Sequence, residues 1–476
     1  MTTIQAQSAG AHARPVGRDV TAGLLARYDR PGPRYTSYPT AIEFHEGVTA
    51  GDYAERLAEA DALGDAPLSL YMHLPFCEER CLFCGCHVIV TKHREVAEPY
   101  LSLLKRETEL LAAHLPNRRR FAQLHLGGGT PTYYTPAQLT DLLTHTLRHF
   151  EPLPGAELAL EADPRVTTAA HIDALADLGF NRISFGVQDL TPDVQEAINR
   201  VQSLEQTARL VEHARRRGFR GINVDLIYGL PLQTPESFER TVEAVAGLGV
   251  DRAAVYSFAF VPWVRGHQKK IEEHQLPSAD TKVALFAIAR EVFLSAGYEP
   301  IGMDHFARPD DELARAKHEG RLRRNFQGYA VIPGDDVLGL GISAIGDVRG
   351  AYVQNEKKLS TYEERVSAGR LPVARGVTRT GDDDVRRTVI HELMCNFRVD
   401  TADVERRHHV DFANYFAEDL VLLAEHEKEG LVRVAPDRIE ATPVGELFVR
   451  NLAMCFDRYQ REKHAAGTKP VFSRTV

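Results

Sequence analysis

Four of the six cysteines fall within ten residues, at Cys77, Cys81, Cys84 and Cys86, and this crowding is the strongest chemical signal in the sequence. Six cysteines in 476 residues are too few for a disulfide framework, so the group indicates metal binding. A structural zinc ion could use all four thiolates, although so short a loop would crowd a tetrahedral set. Three thiolates at spacings of four and three suit an iron–sulfur cluster better, and they leave one iron without a protein ligand.

Three successive glycines, at residues 127–129, precede Thr130 directly after an apolar segment. Glycine allows close approach of the backbone and could offer N–H groups to a ligand carboxylate, although a glycine run alone is a weak signal. Glu161 also follows an apolar segment, where its two oxygens could accept hydrogen bonds from ribose hydroxyls. Asp225 is a lone charge inside an apolar segment and must be paired or ligand-bound if it is buried. A purely structural hydrogen-bonding role for Asp225 is about as compatible with the sequence.

The segments before these residues alternate with helices. The strand candidates are rich in Val, Ile, Leu and aromatic residues, and they span residues 68–74, 123–126, 157–160, 182–187, 222–227 and 253–258. Thr135 and Thr234, each followed by proline, predict helix starts between them. Six strand–helix units predict a parallel sheet with right-handed crossovers, whose C-terminal strand ends share one face. We therefore expect an α/β fold, an incomplete (β/α)6 TIM-like barrel that is open enough for a bulky substrate.

The pattern divides the chain into three parts. Residues 1–50 are expected to contain a disordered tail, to about residue 20, and an ordered arm at residues 34–40 that covers the substrate. Residues 51–375 would form the partial barrel, and residues 376–476 a mainly helical, winged-helix-like C-terminal domain. That shape would permit DNA binding, but the acidic residues 382–384 and the lack of a dense basic face favour a packing or lid role. The arginine run at residues 118–120 is expected on a solvated helix end.

The composition excludes several other classes of protein. The 57 Lys and Arg residues against 66 Asp and Glu residues give a formal charge of −9, which argues against a nucleic-acid or anionic-membrane surface. A hydrophobic content of 43% and a charged content of 26% are typical of soluble globular proteins. The longest apolar stretch, residues 253–264, is too short to span a membrane. The first twenty residues lack the apolar core of a signal peptide, so a cytoplasmic location is the default expectation.

The cysteine loop, residues 77–86, resembles the signature of the radical S-adenosylmethionine (SAM) superfamily, with Phe83 directly before the third cysteine. Further motifs, running from Arg34 to Phe456, resemble the oxygen-independent coproporphyrinogen III oxidases, and they lie at residues 71–77, 85–86, 124–132, 225–231, 302–308 and 325–329. The nearest alternative is the heme-trafficking relative of the same superfamily. That relative typically lacks the fourth cysteine and the arm, both of which are present here. One departure is His87, where many members have asparagine.

This resemblance implies a radical decarboxylase of heme biosynthesis. Cys77, Cys81 and Cys84 would hold a 4Fe–4S cluster whose open iron binds SAM. A 5′-deoxyadenosyl radical from SAM would remove a hydrogen from a propionate of coproporphyrinogen III. Loss of carbon dioxide and one electron would leave a vinyl group, and two propionates would react in turn to give protoporphyrinogen IX. The resemblance also implies two SAM molecules, the first facing Tyr71, Gly128, Glu161 and Ile345, and the second facing Phe83, Gly129, Thr130, Gln188, Arg200, Asp225 and Ala259.

A substrate with four carboxylates needs fixed cations on an acidic protein, and the planar guanidinium group is the best bidentate partner. Arg34, Arg308 and Arg324 are therefore candidates, with Phe326 and Gln327 as weaker candidates from the family motif. The expected partners are the substrate and an electron donor such as a flavodoxin or ferredoxin, without nucleic acid or membrane, and the chain is expected to be a monomer. Cys86 would be either a small buried thiol or a neighbour of substrate or of the second SAM.

Overall fold

The computed structural model describes residues 22–331, 334, 336–465 and 472, so the predicted disordered tail lies outside the described residues. Its strands are β1 (Leu68–Leu74), β2 (Phe76–Cys77), β3 (Ile89–Val90), β4 (Arg120–Gly128), β5 (Glu151–Ala162), β6 (Arg182–Gln188), β7 (Gly221–Tyr228), β8 (Arg252–Ser257), β9 (Glu299–Gly302), β10 (His305–Ala307), β11 (Arg323–Asn325), β12 (Gly328–Ala330), β13 (Asp336–Leu340), β14 (Ile345–Val348), β15 (Ala351–Asn355), β16 (Val373–Thr378), β17 (Arg398–Asp400), β18 (Val432–Ala435) and β19 (Arg438–Ala441).

The α-helices, interspersed with short 3₁₀ turns, are α1 (Ala22–Tyr28), α2 (Ala50–Asp61), α3 (Glu98–His114), α4 (Pro136–His149), α5 (Ala169–Asp177), α6 (Pro192–Ala197), α7 (Leu204–Arg216), α8 (Pro235–Gly247), α9 (Ala279–Ser295), α10 (Glu312–His318), α11 (Leu359–Ser367), α12 (Gly381–Asn396), α13 (Thr401–His408), α14 (Phe412–Tyr415), α15 (Ala417–Lys428), α16 (Val449–Met454) and α17 (Arg458–Ala465). Within the described ranges, no helix combines the length and the apolar character that crossing a membrane requires.

One twelve-stranded sheet dominates the fold, in the order β16-β15-β14-β13-β1-β4-β5-β6-β7-β8-β10-β9. The six predicted strands are β1 and β4 to β8, and they pair in parallel as expected. A further parallel strand, β13, pairs with the other side of β1 and was not predicted. The sheet ends at β16 and β9 without closing, which confirms the incomplete barrel.

The predicted helix starts are also confirmed, and their chemistry is local. Thr135 accepts a hydrogen bond from the backbone N–H of Gln138, and the Gln138 side chain accepts one from the Thr135 N–H, so the two residues form a capping box at the start of α4. Thr234 and Ser237 form the same arrangement at the start of α8. The leucines of α4 that recur at helical spacing are buried against the sheet.

Arg118 contradicts the expectation that residues 118–120 lie on a solvated helix end, because its side chain is completely buried. Its guanidinium donates to the carbonyls of Ala60 (3.1 Å), Ala66 (2.7 Å) and Pro67 (3.2 Å), and it pairs with the buried carboxylate of Asp336. Asp336 is the first residue of β13 and also accepts from the N–H of Arg349 at 2.7 Å. The ion pair between Arg118 and Asp336 therefore fixes the start of β13, the parallel strand that the sequence pattern did not predict.

The C-terminal domain combines helices α12–α17 with the three-stranded sheet β17-β19-β18. The sequence pattern of residues 443–459 predicts one last helix, and this prediction is wrong, because residues 455–457 interrupt the helix between α16 and α17. Asp457 accepts from the N–H of Gln460 at 3.1 Å and thereby starts a new helix. The arm packs into the core of this domain through Tyr35 and Tyr38, and the Tyr35 hydroxyl donates to Asp457 at 2.9 Å.

We predict that Arg118→Ala lowers the free energy of unfolding by about 3–5 kcal/mol, since it leaves the Asp336 carboxylate buried without its cation. Denaturant titration of the cluster-containing protein under anaerobic conditions would measure this loss. Arg56→Ala, which removes an exposed pair with Glu59, is the control and should cost less than about 1 kcal/mol. Equal losses for the two variants would show that the buried pair does not fix β13.

Candidate active site

The C-terminal ends of the parallel strands surround a cavity of about 250 Å³, as the sheet topology predicts. The predicted site residues that line it are Cys77, Cys81, Phe83, Cys84, Gly128, Gly129, Thr130, Glu161, Gln188, Arg200 and Asp225. They come from the cysteine loop after β1 and from the ends of four further strands, β4 to β7, and from the segment after α6. One cavity therefore gathers most of the residues that the sequence singled out.

The cysteine loop is fixed from several sides. The N–H of Leu82 donates to the carbonyl of Ile198 at 2.9 Å, and His267 Nε2 donates to the carbonyl of Cys84 at 2.9 Å. Cys81 is buried, Cys77 and Cys84 are half-buried, and Cys86 is exposed, so Cys86 is not the buried thiol that one alternative expected. The three candidate ligands are thus on the cavity side of an anchored loop.

The three candidate thiols have different electrostatic surroundings. Burial raises the pKa of Cys77 to about 12, and Cys77 Sγ lies 3.3 Å from Thr130 Oγ1. A hydrogen bond from Cys86 lowers the pKa of the Cys84 thiol to about 6. A metal centre would favour thiolates at both positions, because thiolates rather than thiols are metal ligands.

Asp163 organises two arginines against Cys81. Its Oδ2 atom accepts hydrogen bonds from Arg165 Nη2 at 2.7 Å and from Arg200 Nη1 at 2.9 Å. Arg165 Nη2 also lies 3.4 Å from Cys81 Sγ, and Arg200 Nη1 lies 3.5 Å from the same sulfur. Burial favours the neutral form of Asp163, but the two guanidinium groups outweigh it and lower the pKa of this carboxyl. The arrangement places positive charge where a thiolate of Cys81 would need it.

The glycine run lies directly against the start of the cysteine loop. A Cβ atom at Gly129 would lie 2.5 Å from the backbone of Pro75, and one at Gly128, where φ is +112°, would lie 2.5 Å from the His73 ring. The N–H groups of Gly128, Gly129 and Thr130 donate to Glu161, to the carbonyl of Leu74 and to that of Phe76. The expectation that these N–H groups are available to a ligand is therefore wrong for this conformation. Glycine is needed at Gly129 because the two backbones are in contact there, and at Gly128 because the His73 ring and the positive φ leave no room for a side chain.

Glu161 faces the cavity and is held by two hydrogen bonds. His125 Nε2 donates to Oε1 at 3.4 Å, and the Gly128 N–H donates to Oε2 at 3.2 Å. Burial favours the neutral acid, but the bond from His125 and that from Gly128 outweigh it and lower the pKa of Glu161. Tyr71 lies behind this pair: its ring stacks on His125 with centroids 6.0 Å apart, and its hydroxyl donates to His73 Nδ1 at 3.0 Å. Tyr71 therefore contacts His125, which holds Glu161, and does not itself line the cavity.

Asp225 has both of its oxygens occupied. Oδ2 accepts from Ser184 Oγ at 2.9 Å, and Oδ1 accepts from Asn223 Nδ2 at 2.8 Å. Burial nevertheless raises the pKa of this carboxyl to about 6. Asp225 therefore has the hydrogen bonds that a structural role requires, and it also lines the cavity as a ligand role requires.

Two predicted SAM residues lie at the edges of this region. Ala259 follows β8, and its carbonyl accepts from Gln268 Nε2 at 3.1 Å, while the same nitrogen donates to the carbonyl of Phe83 at 3.4 Å. Ile345 starts β14 and packs beside Phe44 and Phe326. Neither residue lines the cavity of the cysteines, although Gln268 connects Ala259 to the cysteine loop.

Two of the three predicted substrate arginines lie near Tyr256, which lines the cavity. Arg34, from the arm, pairs with Asp304, and its Cζ atom lies 5.6 Å from the centre of the Tyr256 ring. Arg324 is 6% exposed and lies over Tyr329 at 4.8 Å. Its Nε and Nη1 atoms have no hydrogen-bond partner within the described part of the chain. Arg324 therefore keeps two buried donors available.

The other substrate candidates are dispersed. Arg308 is 47% exposed beside Asp310, and its backbone N–H donates to Asp251 at the N-terminal end of β8, so it lies at the opposite end of the strand from the cavity. Gln327 lines a second, interior cavity of about 150 Å³ that shares Glu161 and Asp225 with the first. Phe326 contacts Tyr352 edge-on, with ring centroids 6.0 Å apart.

Sequence reasoning missed the roles of Asp163, Arg165 and Tyr256. Asp163 follows Glu161 by two residues at the end of a strand, and this position was the only available signal, since strand ends supply active-site residues. Arg165 gave no signal for its contact with Cys81, which is 84 positions away, and Tyr256 gave none for its contact with Arg34 of the arm.

The residues present fit an iron–sulfur cluster with SAM. Three thiols lie beside a cation pair, and a glycine segment leaves no room for a side chain at the junction. The buried Arg200 Nε atom points to a further ligand, because it lacks a hydrogen-bond partner among the residues described. Thiolates are the ligands that iron–sulfur clusters prefer, whereas four-thiolate zinc would need the exposed Cys86 as well.

Comparison with known families agrees with this geometry. Residues 71–245 match the family model described as the Radical SAM superfamily, which covers the cysteine loop and the strands up to α8. Residues 380–448 match the model described as the HemN C-terminal domain. The oxygen-independent coproporphyrinogen III oxidase of Escherichia coli (strain K12) is 45% identical over 458 residues, which cover 96% of this chain and 99% of the relative.

The oxygen-independent coproporphyrinogen III oxidase of Pseudomonas aeruginosa is 44% identical and covers 92% of this chain and 95% of its own length. The solved structure of coproporphyrinogen III oxidase from Escherichia coli, described as a radical SAM enzyme, matches with a TM-score of 0.86 and 45% identity, over 89% of this chain and 97% of that chain. These matches confirm the family that the motifs indicated. The chain belongs to the oxygen-independent coproporphyrinogen III oxidases, radical SAM enzymes of heme biosynthesis.

Proposed function

We propose that the cavity at the C-terminal strand ends holds a 4Fe–4S cluster and two SAM molecules, and that this chain decarboxylates two propionates of coproporphyrinogen III there to give protoporphyrinogen IX. The observation that carries the proposal is that the three cysteines, the glycine run, Glu161 and Asp225 line one cavity. When bound, the cluster and SAM supply the 5′-deoxyadenosyl radical that removes a hydrogen atom from the propionate.

The protein's own part begins with the cysteine loop. Cys77, Cys81 and Cys84 are the proposed ligands, and Cys86 is not one. Arg165 and Arg200 donate toward Cys81 Sγ, so they offset the negative charge that three neighbouring thiolates would bring together. The Leu82 N–H donates to Ile198, and His267 donates to the Cys84 carbonyl, so these two hydrogen bonds would keep the loop in place when the charge of a bound cluster changes.

Different walls of the cavity hold the two SAM molecules in this proposal. Glu161, aligned by His125, accepts hydrogen bonds from the ribose hydroxyls of the first molecule. Gly128, Tyr71 and Ile345 complete the site of this first molecule. Glu161 is on β5 and Asp225 is on β7, with β6 between them, and Asp225 contacts the second molecule. The remaining second-site residues are Phe83, Gly129, Thr130, Gln188, Arg200 and Ala259.

The substrate is held by the arm and by the strands beside β8. The free Nε and Nη1 donors of Arg324 would bind one propionate, and Arg34, aligned by Asp304, would approach from the arm. Phe326 and Gln327 form the tip of the β11–β12 hairpin and would contact the macrocycle. Because Tyr35 and Tyr38 pack in the C-terminal core, we propose that the domain of residues 376–476 holds the arm at residues 34–40 over the barrel of residues 51–375.

We also propose that a small electron-transfer protein, such as a flavodoxin or ferredoxin, delivers electrons at the cysteine loop, and that the chain acts as a monomer. Cys86 is exposed, and Trp263, which is 71% exposed, lies four residues before the His267 that holds the cysteine loop, so a donor could approach the centre closely.

The reconstituted protein should convert coproporphyrinogen III to protoporphyrinogen IX under anaerobic conditions with SAM, dithionite and a one-electron acceptor, which takes the electron that each substrate radical loses with carbon dioxide. Since two propionates react, each product molecule should be accompanied by two molecules of 5′-deoxyadenosine and two of carbon dioxide, as measured by liquid chromatography and mass spectrometry. Tight heme binding without a vinyl product would instead favour the heme-trafficking relative. Zinc without visible absorbance would contradict both functions.

Replacement of Cys77, Cys81 or Cys84 by serine should abolish cluster binding, because each removes one of three thiolate ligands. The matched control is Cys86→Ser in the same loop, which should keep the iron content and visible spectrum of the unmodified protein. Iron and sulfide analysis with electron paramagnetic resonance (EPR) spectroscopy would measure both. Loss of the cluster in Cys86→Ser alone would overturn the ligand assignment.

SAM binding at the second site should weaken as the pH falls through about 6, because Asp225 is a carboxylate above its raised pKa and a neutral acid below it. A carboxylate attracts the sulfonium of SAM and the neutral acid does not. Equilibrium dialysis at several pH values should show stoichiometry falling from two SAM per chain toward one. Asp225→Asn should bind one SAM at every pH, whereas Glu161→Gln should weaken the first site. A stoichiometry of one for the unmodified protein at neutral pH would refute the two-SAM proposal.

A further inference from the structure

Four basic side chains, Arg80, Arg265, Lys357 and Arg375, surround the outer edge of the cysteine loop, and we call them the cationic rim. Over the part of the chain that the structure describes, none of the four forms a salt bridge. Most other partly buried arginines near the cavity have a carboxylate partner, as Arg165 and Arg200 do with Asp163. Unpaired positive charge is therefore concentrated at this edge.

Direct contacts place two members of the rim at the loop, and a neighbouring contact places the third. Arg80 belongs to the loop itself, and its Nη2 atom donates to the carbonyl of Val88 at 3.3 Å. The carbonyl of Lys357 accepts from His87 Nε2 at 2.8 Å, so the segment after β15 contacts the end of the loop. Arg265 lies two residues before His267, whose Nε2 donates to the carbonyl of Cys84.

Strand register places the fourth member beside the proposed SAM site. Ile345 on β14 pairs with Gln354 on β15, and Gln354 pairs with Arg375 on β16. Neighbouring strands are about 4.8 Å apart, so the backbone of Arg375 lies roughly 10 Å from that of Ile345. Arg375 Nε donates to Gln354 Oε1 at 2.7 Å, and its Cζ atom lies 5.8 Å from the Phe44 ring. Phe44 is in the same cluster as Phe326 and Ile345.

No carboxylate of the described residues balances the charge of the rim, although Arg80 and Arg265 contribute to the lowered pKa of the Cys84 thiol. Burial and then the positive charges of Arg375 and Arg265 lower the pKa of Lys357, and no carboxylate contributes to that shift. The nearest acidic side chains along the chain bind other cations: Glu78 pairs with Arg94, Glu79 with Lys92 and Glu356 with Arg365. Several like charges near one another are unfavourable unless an anion joins them.

We propose that the cationic rim binds the non-reacting propionates of the tetrapyrrole substrate, so that the reacting propionate points inward toward SAM. The inference rests on the proposed function and names the cations that its polycarboxylate substrate meets at the mouth of the cavity. Planar guanidinium groups suit carboxylates because they can donate two parallel hydrogen bonds. The sequence analysis predicted that Arg308 binds a propionate, but Arg308 lies at the other end of the sheet, and the rim takes over that role. The rim also adds positive charge to that of Arg34, which Asp304 already balances.

The test is steady-state kinetics of the reconstituted enzyme with dithionite as reductant, so that no donor protein is involved. Arg375→Gln and Lys357→Gln should each raise the KM for coproporphyrinogen III about tenfold, and the double variant more. Arg375→Lys should recover part of the loss because it retains the charge. Arg398→Gln, an exposed arginine on β17 of the C-terminal domain, is the matched control and should leave KM unchanged.

Two further readouts separate the rim from the proposed function and from a donor-docking role. Formation of 5′-deoxyadenosine at saturating coproporphyrinogen III should be the same in the rim variants as in the unmodified enzyme, and its absence in the unmodified enzyme would refute the proposed function instead. The KM of the unmodified enzyme should rise with salt, and that of the double variant should rise less. An unchanged KM in the double variant at low salt would overturn the rim proposal. So would a loss of activity seen only when a flavodoxin replaces dithionite, since it would mean that the rim docks the donor.

Discussion

One carboxylate, Asp163, connects the three parts of the chain that form the candidate site. It follows β5, and it holds Arg165 from its own turn and Arg200 from the segment after α6 against the sulfur of Cys81. The cysteine loop comes from a different strand, β1, so the ion pairs join elements that are far apart in sequence. Because the groups are buried, the interaction is strong only while all of them are present, which makes the loop, the strand end and the helix turn one electrostatic unit.

The open sheet and the C-terminal domain form the surroundings of the Asp163 ion pairs. The sheet ends at β16 and β9 without closing, and the tyrosines of the arm pack in the C-terminal core. Arg450 of the same domain donates from Nε to the carbonyl of Pro33 at 3.0 Å, directly before Arg34. The C-terminal domain therefore contacts the arm on both sides of Arg34, the residue proposed to meet the substrate.

Local pattern was sufficient for much of the fold. Alternating apolar segments located the six strands, threonine–proline pairs located helix starts, and strand-end positions brought the cysteines, Glu161 and Asp225 to one face. β13 escaped prediction because its identity as a barrel strand depends on pairing with β1, more than 260 positions earlier, and on the buried Arg118–Asp336 pair. The pairing of Arg34 with Asp304 and the placement of Arg308 at the far end of β8 likewise depend on tertiary contacts. The glycine run was recognised in the sequence, but its contact with the backbone of the cysteine loop could not be predicted, because it depends on the tertiary structure.

Three cysteines are proposed to hold the cluster and to leave one iron available to SAM in the adjoining cavity. Mössbauer spectroscopy of the protein reconstituted with isotopically enriched iron, recorded before and after addition of SAM, tests this arrangement. One iron site in the cluster should change its spectrum when SAM binds, and the others should not. A spectrum that SAM leaves unchanged, with all iron sites already coordinated by the protein, would contradict it.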